Sequence, residues 1–507
     1  MPGGLHLAAS MQPLDALPQH NAESIIVVKK TFVRTTIIGG AMFVGRREEL
    51  RRLEDAYNTG TFQMAVIYGR RRVGKTTLIS EFSRGKRTLF FTALEQADAD
   101  NLADFARALA EFFDLPGGVR FDSWRDAFDY LCERAEQERF VFVFDEFPYA
   151  AKRNGSLPSL LQVCIDHRLQ ATGAFVILCG SNQGFMESDV LGRRSPLYGR
   201  RTLQMRLGPL GYRDAAQMVP WATPDEAFRI YGCVGGVPYY LAQVREGRSL
   251  RENLRELYFD PAGFLYGEPA MLLRQELSEP AAYNSVLRAV AGGATRPKEI
   301  AERTRIERNS LAGYLTTLVS LGILERTIPF GESPERSKRG IYRIREAAFA
   351  FWYRFVMPRV TQVEDGAGAL ALAAVSEGDL DAYLGLRFER VCREWLLAQA
   401  IEGRLPLRVD AFGSWWGPDP DRRSTTDIDV VAADTQSRRL LVGECKYRES
   451  FDETEAMREL ERRASLVRGY EPELFYLFSK HALSSGTIEK TEGMPAWHLV
   501  TVGDLYR

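Results

Sequence analysis

Apolar and polar positions follow two rhythms along this chain. Short unbroken apolar runs, MAVIY at 64–68, FVFVF at 140–144 and AFVIL at 174–178, read as strands buried on both faces, and the first leads into the helical pattern LISEF. From 281 the pattern changes to three short helical patterns broken by glycine and proline, followed by ESPERSKRGIYRI, which reads as a hairpin. AAFAFWYRFV then reads as an apolar helix and VEDGAGALALAAVSEG as a loosely packed connector. The last segment opens on an amphipathic helix, DAYLGLRFERVCREWLLAQA, whose Leu384, Phe388, Val391, Trp395 and Leu396 recur at helical spacing and form a core face. Strand-like runs PLRVDAFGSWW, TTDIDVVAAD and RRLLVGECKY follow, then a helix over TEAMRELERRASLV, then the strand pair ELFYLFS and WHLVTV. That order describes a small α/β sandwich.

At 507 residues the chain exceeds a single core, and about one domain per 150 residues predicts three or four. With 45% apolar and 26% charged residues and a net charge of -1, any nucleic-acid contact has to come from local patches. The six cysteines form no Cys-x-x-Cys pair, so neither a disulfide framework nor a zinc site is expected and a reducing cytoplasmic location fits. No apolar stretch approaches the roughly 18 residues of a membrane span, and the N-terminus lacks the order of a secretory signal. Residues 1–41 read as a poorly ordered extension carrying one β-type run, SIIVVKK; Met42, before FVGRREEL, offers an alternative translation start.

The strand MAVIY runs into GRRRVGKTT, in which Gly69, Gly74, Lys75 and Thr76, with Thr77 beside it, match G-x-x-x-x-G-K-[ST] between a strand and a helix. The glycines let backbone N–H groups turn toward phosphate oxygens, Lys75 reaches the outer phosphates, and Thr76 can hold Mg²⁺. The run FVFVF ends in Asp145 and Glu146, at the strand end where ligands bind in α/β sheets. Asp145 would hold the metal and Glu146 would orient the attacking water. AFVILCG ends in Ser181 and Asn182, suited either to sensing a γ-phosphate or to a plain strand-to-loop turn.

FVGRREEL, GRRRVGKTT, FDEF, LCGSN, SPLYGRR and CVGGVPYYL, in that order over about 43–275, resemble the archaeal-type ATPase family, which lies close to the AAA+ and STAND nucleotide switches. The resemblance implies ATP and Mg²⁺ as cofactors, Ser181 or Asn182 as the first sensor, and Gly236 and Pro238 on a Gly-x-Pro lid motif. Arg200 or Arg201 becomes a candidate arginine finger, from this chain or from a neighbour in a homo-oligomer; a solvated arginine-rich loop reads the same way.

The middle segment looks like a winged helix-turn-helix: PKEIAERT as supporting helix, NSLAGYLTTLVSLG as recognition helix and SKRGIYRI as wing. Arg303, Arg305, Arg308, Arg336, Lys338 and Arg339 cluster on its expected DNA face, although such modules also serve as protein spacers.

In the last segment, residues two apart on a strand share a side, so Asp427 and Asp429 share one and Glu444 and Lys446 another. Were those two strands neighbours, all four charges would converge and call for an ion pair or a metal, Mg²⁺ rather than zinc, with Mn²⁺ as substitute. The pattern resembles the PD-(D/E)XK nuclease superfamily over about 381–480. By that resemblance Asp429 and Glu444 are metal ligands, the Cys445 carbonyl adds a third oxygen, Lys446 is catalytic and Glu389 is an accessory acid. No Pro-Asp pair precedes the Glu-x-Lys strand, and a solvated strand face would also satisfy the motif.

The expected organisation is therefore an extension at 1–41, a P-loop ATPase core with parallel sheet at 42–207, a helical lid at 208–275, a winged helix at 276–357, a connector at 358–380 and a restriction-endonuclease-like α/β domain at 381–507. The expected function is an ATP-dependent switch coupled to a Mg²⁺-dependent DNA endonuclease in genome defence or mobile-element biology, with a non-cleaving DNA-binding regulator or signalling scaffold as the alternative.

Overall fold

The computed structural model describes residues 43–116 and 118–507. The extension expected over 1–41 and the alternative start at Met42 lie outside those residues. Among the described residues no helix is long and apolar enough to cross a membrane.

The three apolar runs form β1 (Gln63–Tyr68), β3 (Val141–Asp145) and β4 (Phe175–Gly180), joined by β2 (Thr88–Thr92) and β5 (Leu203–Arg206) in one parallel sheet of order β2-β3-β4-β1-β5. Alternate residues of each run serve opposite faces, which is why the runs are apolar throughout. Ala65, Ile67, Val143 and Ile177 pack with Leu78, Ile79 and Phe82 of the helix Lys75–Phe82, while Val66, Phe142, Phe144 and Leu178 pack with Phe105, Trp124 and Leu161 on the other side. Each such side chain, fully buried, stabilises the fold by about 1.5–3 kcal/mol. One expectation fails on this second face: Cys132 and Cys164 are joined as a disulfide between the helices Trp124–Gln137 and Leu157–His167. Their shared position on packed helix faces is not visible in spacing 32 residues apart.

The helices Pro224–Val234, Pro238–Leu241, Leu250–Tyr258 and Phe264–Glu276 lie in the segment expected to form a lid, called the lid below. In the middle segment the helices Pro280–Ala291, Pro297–Thr304 and Arg308–Ser320 precede an antiparallel pair, β6 (Leu324–Thr327) and β7 (Ile341–Ile344), which is the element order expected there. The connector is more structured than its composition suggests. Val360–Glu364 and Gly368–Ala373 are helical, and Val363 and Ala371 are fully buried. The long helix begins early, at Glu377, because Ser376 and Asp379 close a reciprocal cap, and it runs to Ile401.

The last sheet has the order β12-β11-β10-β9-β8, from β8 (Ala411–Asp419), β9 (Ser424–Asp434), β10 (Arg439–Lys446), β11 (Glu471–Ser479) and β12 (Trp497–Thr501). β8, β9 and β10 are antiparallel neighbours; β11 and β12 add in parallel, with the helix Glu453–Ala464 as the β10–β11 crossover. Glu377–Ile401 covers one face through Phe388, Val391 and Leu396, and Glu453–Ala464 covers the other through Met457 and Leu460. A single apolar core runs from the lid through the middle segment into the first of these faces.

Candidate active site

The phosphate loop needs left-handed backbone at Arg72 and Gly74, with φ 72° and 90°. A side chain on Gly69 would collide with the Leu207 carbonyl. Lys75 is buried, and its Nζ folds back on the loop, donating to the Gly69 and Arg70 carbonyls at 2.9 and 3.1 Å. Those carbonyls hold the ammonium where phosphate oxygens would compete for it. Thr76 and Thr77 open to solvent on the first turn of the following helix, and the Thr76 hydroxyl donates to Asp145 Oδ2 at 3.4 Å.

Asp145 ends β3, and its Oδ1 accepts the Glu146 N–H at 3.0 Å. Burial, with the Glu146 charge adding to it, raises the Asp145 carboxyl above the usual range, and burial drives the adjacent Cys179 thiol well up. A cation between Thr76 and Asp145 would reverse that burden, so these two residues fit Mg²⁺ and would hold it. Glu146 has left-handed backbone, φ 50°, which turns its carboxylate toward the end of β4. There Oε2 accepts from Ser181 N and Oγ at 3.2 and 2.8 Å. Asn182 spends its amide oxygen on the Phe185 N–H at 2.9 Å.

Gly236 meets the Leu210 N–H with its carbonyl at 2.7 Å and has no room for a side chain against Leu210. Pro238 leans toward Gly74, its Cγ 3.7 Å from where a Gly74 Cβ would stand. The two candidate finger arginines have other employment. Arg200 grips both oxygens of Asp166 at 2.7 and 2.6 Å and donates to the Pro196 and Tyr198 carbonyls, and Arg201 lies 5.9 Å from the Tyr198 ring.

Reasoning from sequence overlooked the anchors of the loop. Arg46, from FVGRREEL, donates to the Val73 carbonyl at 3.1 Å and to the Gly208 carbonyl. Arg70 pairs with Glu346 at 2.5 Å, Arg72 with Glu268, and Arg71 donates to the Tyr149 hydroxyl. The only sequence signal was three consecutive arginines inside a phosphate loop, more than the phosphates need.

In the last sheet β9 and β10 are neighbours, as expected, with Gly443 opposite Val430. Asp427 and Glu444 lie within reach of the Asp429 charge, and Lys446 is bonded to Glu444. The β8–β9 register shifts between Gly413 and Trp415, giving β9 one extra residue. Ile428 and Val430, two apart, consequently enter opposite cores. The helix Glu453–Ala464 supplies Arg463 to Glu444 Oε2 at 2.8 Å, while Lys446 Nζ takes Oε1 at 2.5 Å. Asp429 Oδ2 accepts the Cys445 N–H at 2.8 Å, and Cys445 faces Cys392 on the opposite helix. Burial, then the charges of Glu389 and Glu444, push the Asp429 carboxyl well above its ordinary range. Burial likewise raises Glu389, which sits 3.5 Å from Arg343 and 3.9 Å from Arg393. Asp427 is exposed at its side chain, and its carbonyl accepts from Arg463 at 2.7 Å.

Among the described residues no three His, Cys, Asp or Glu side chains form a metal-binding group. Both oxygens of Glu444 are held by the cations Lys446 and Arg463, with which a metal would have to compete. Arg463 was missed because its helix reads only as amphipathic.

A parallel sheet with a phosphate loop after β1, an Asp-Glu pair after β3 and a polar pair after β4 defines a P-loop ATPase. Residues 43–244 match a family described as an ATPase domain predominantly from Archaea, and residues 352–458 match a family of archaeal and bacterial proteins of unknown function. An uncharacterized protein of Methanocaldococcus jannaschii is 30% identical over 439 residues, covering 86% of this chain and 94% of its own. An uncharacterized ATP-binding protein of the same organism is 49% identical over 49 residues, 10% of this chain and 83% of its own. The chain belongs to the archaeal-type ATPase family. Solved structures with partial likeness to the chain include the Walker-type ATPase of Pyrococcus abyssi (20% identity, 62% of this chain and 96% of that one, TM-score 0.46) and the ORC2 protein of Aeropyrum pernix (16%, 65% and 95%, 0.43).

Proposed function

We propose that this ATPase is a nucleotide-dependent switch acting on DNA, in which the lid transmits the state of the phosphate loop to a nuclease-like C-terminal domain. The observation that carries the reading is the double attachment of the lid. Pro238 approaches Gly74 of the loop, while Asp225, on the neighbouring lid helix, accepts the Tyr447 hydroxyl at 2.7 Å, one residue beyond Lys446. Bound Mg²⁺ would supply charge neutralisation on the transferred phosphoryl group. Lys75 then binds phosphate, Thr76 and Asp145 hold the ion, and Glu146, steadied by Ser181, orients water. DNA would meet the exposed Arg308 and Lys338 and the rest of the basic middle segment; Arg339 is drawn aside to Glu332 at 2.7 Å and to the Trp416 carbonyl.

The test is binding of duplex DNA across a salt series with ADP, with a non-hydrolysable ATP analogue and with neither. Affinity should fall with salt and differ between nucleotide states in the wild type but not in Lys75→Ala. Identical curves in every state remove the switch.

A second reading, a metal-dependent DNA endonuclease in genome defence or mobile-element biology, is favoured by one observation. Asp429 and Glu444 lie on adjacent strands, close enough for one charge to raise the other's pKa, with Lys446 alongside. Plasmid incubated with Mg²⁺ or Mn²⁺ should then be nicked by the wild type and spared by Glu444→Ala and Lys446→Ala. No nicking under any nucleotide or metal condition leaves the non-cleaving regulator.

A further inference from the structure

Arg70 directly follows the glycine that opens the phosphate loop, and its side chain is 4% exposed. Its Nη2 donates to Glu346 Oε2 at 2.5 Å, and the Glu346 side chain is 3% exposed. A guanidinium buried this deeply without its carboxylate would cost several kcal/mol, so the loop conformation depends on an acid from 276 residues further along the chain. Arg70 Nη1, also buried, has no hydrogen-bond partner among the described residues. One arm of the fork is therefore committed to Glu346 and the other is still available.

Glu346 lies just beyond β7, in a stretch gripped from a second direction. Arg387 donates to the Ile344 carbonyl at 3.0 and 3.1 Å and to the Arg345 carbonyl at 3.3 Å. Tyr383 donates to the Ala347 carbonyl at 3.1 Å and to Gly232 of the lid at 2.9 Å. Arg387 and Tyr383 sit on the helix Glu377–Ile401, two and six residues before Glu389. The chain path from phosphate loop to the helix Glu377–Ile401 thus consists of one buried ion pair and the segment 344–347, in which that helix holds the carbonyls of Ile344, Arg345 and Ala347.

We propose that Glu346 is a positioning residue of the nucleotide site, acting through Arg70, and that the segment 344–347 carries the loop's state to the helix Glu377–Ile401. The second half rests on the switch proposed above; the first half stands on the ATPase alone.

Steady-state ATP hydrolysis by the full chain tests the first half. Glu346→Gln keeps an acceptor oxygen but removes the charge, while Lys75, Thr76, Asp145 and Glu146 are untouched. KM for ATP should rise roughly tenfold with kcat within about twofold, and Glu346→Asp should recover most of the loss. If Glu346→Gln does not fold, Arg70→Lys, which keeps the charge and loses the fork, should raise KM in the same direction. An unchanged KM in the folded variants, or a loss confined to kcat, overturns the positioning role.

Hydrogen exchange of the backbone amides at 377–401, with and without ADP, tests the second half. Exchange should change on ADP binding in the wild type, and the change should vanish in Arg387→Met although ADP still binds. ADP binding without any change in exchange, or a change that persists in Arg387→Met, overturns the transmission and leaves Glu346 in place. A wild-type chain that binds no ADP would instead overturn the nucleotide reading beneath both halves.

Discussion

At the scale of single residues, the nucleotide site is held by contacts that a substitution can remove one at a time. Glu146 is aimed by Ser181, so Glu146→Gln should leave ATP binding intact and lower turnover by about 10²–10⁴-fold, whereas Ser181→Ala should cost less because the carboxylate remains. Single-turnover hydrolysis beside nucleotide binding separates the two. His498 gives a pH prediction. Its ring stacks on Tyr476 at 4.6 Å, Nε2 has no hydrogen-bond partner among the described residues, and burial lowers its pKa from 6.5. The unfolded chain takes up a proton near 6.5 while the folded chain resists it, so this contribution is present above that pH and is lost as pH falls below it. Buried carboxyls such as Glu389 act in the opposite sense, so the informative quantity is the difference between two proteins. Thermal melts from about pH 7.5 to 5 should show wild type losing stability relative to His498→Phe, which keeps the stacked ring and cannot titrate. The loop, the strand-ending acids and Ser181 were legible because spacing alone assigns them to strand ends. The partners of Arg70 and Arg72 were not, since an ion pair closed across 276 or 196 residues leaves no periodic trace.

At the scale of elements, the runs that read as strands are strands wherever both faces are buried, as in β1, β3 and β4. β2 was missed because it is a short sheet-edge strand whose burial alternates. The glycine- and alanine-rich connector read as loose because small residues signal flexibility in sequence, yet here they permit close approach. Gly368 touches the Phe259 carbonyl so closely that a methyl group would collide with it. Gly368→Ala should therefore lose about 1–3 kcal/mol, and Gly385→Ala, in mid-helix with open space around it, should gain about 0.5–1 kcal/mol. Denaturant titration of both variants checks the pair of signs. The extra residue in β9 was equally hidden, because DIDV alternates as text and only the partner strand's register reveals the slip. That slip is what sends Ile428 and Val430 into opposite cores.

At the scale of the whole molecule, the lid, the middle segment and the near face of the last sheet share one core, so they should unfold together. Phe388→Ala, which opens a void beside Phe228 and Tyr447, should cost about 3–5 kcal/mol and shift that shared calorimetric transition as a unit. Two separate transitions, with only the C-terminal one moving, would show that the core is not continuous in energy. The aromatic trio Phe228, Phe388 and Tyr447 also bears on anyone wishing to study the last sheet by itself. Severed at the start of its long helix, that piece would carry half of a greasy seam into water, with nothing of its own to cover it. It should come out of cells as insoluble material and dissolve once co-expressed with the preceding residues, which would make the front of this protein a built-in chaperone for its back.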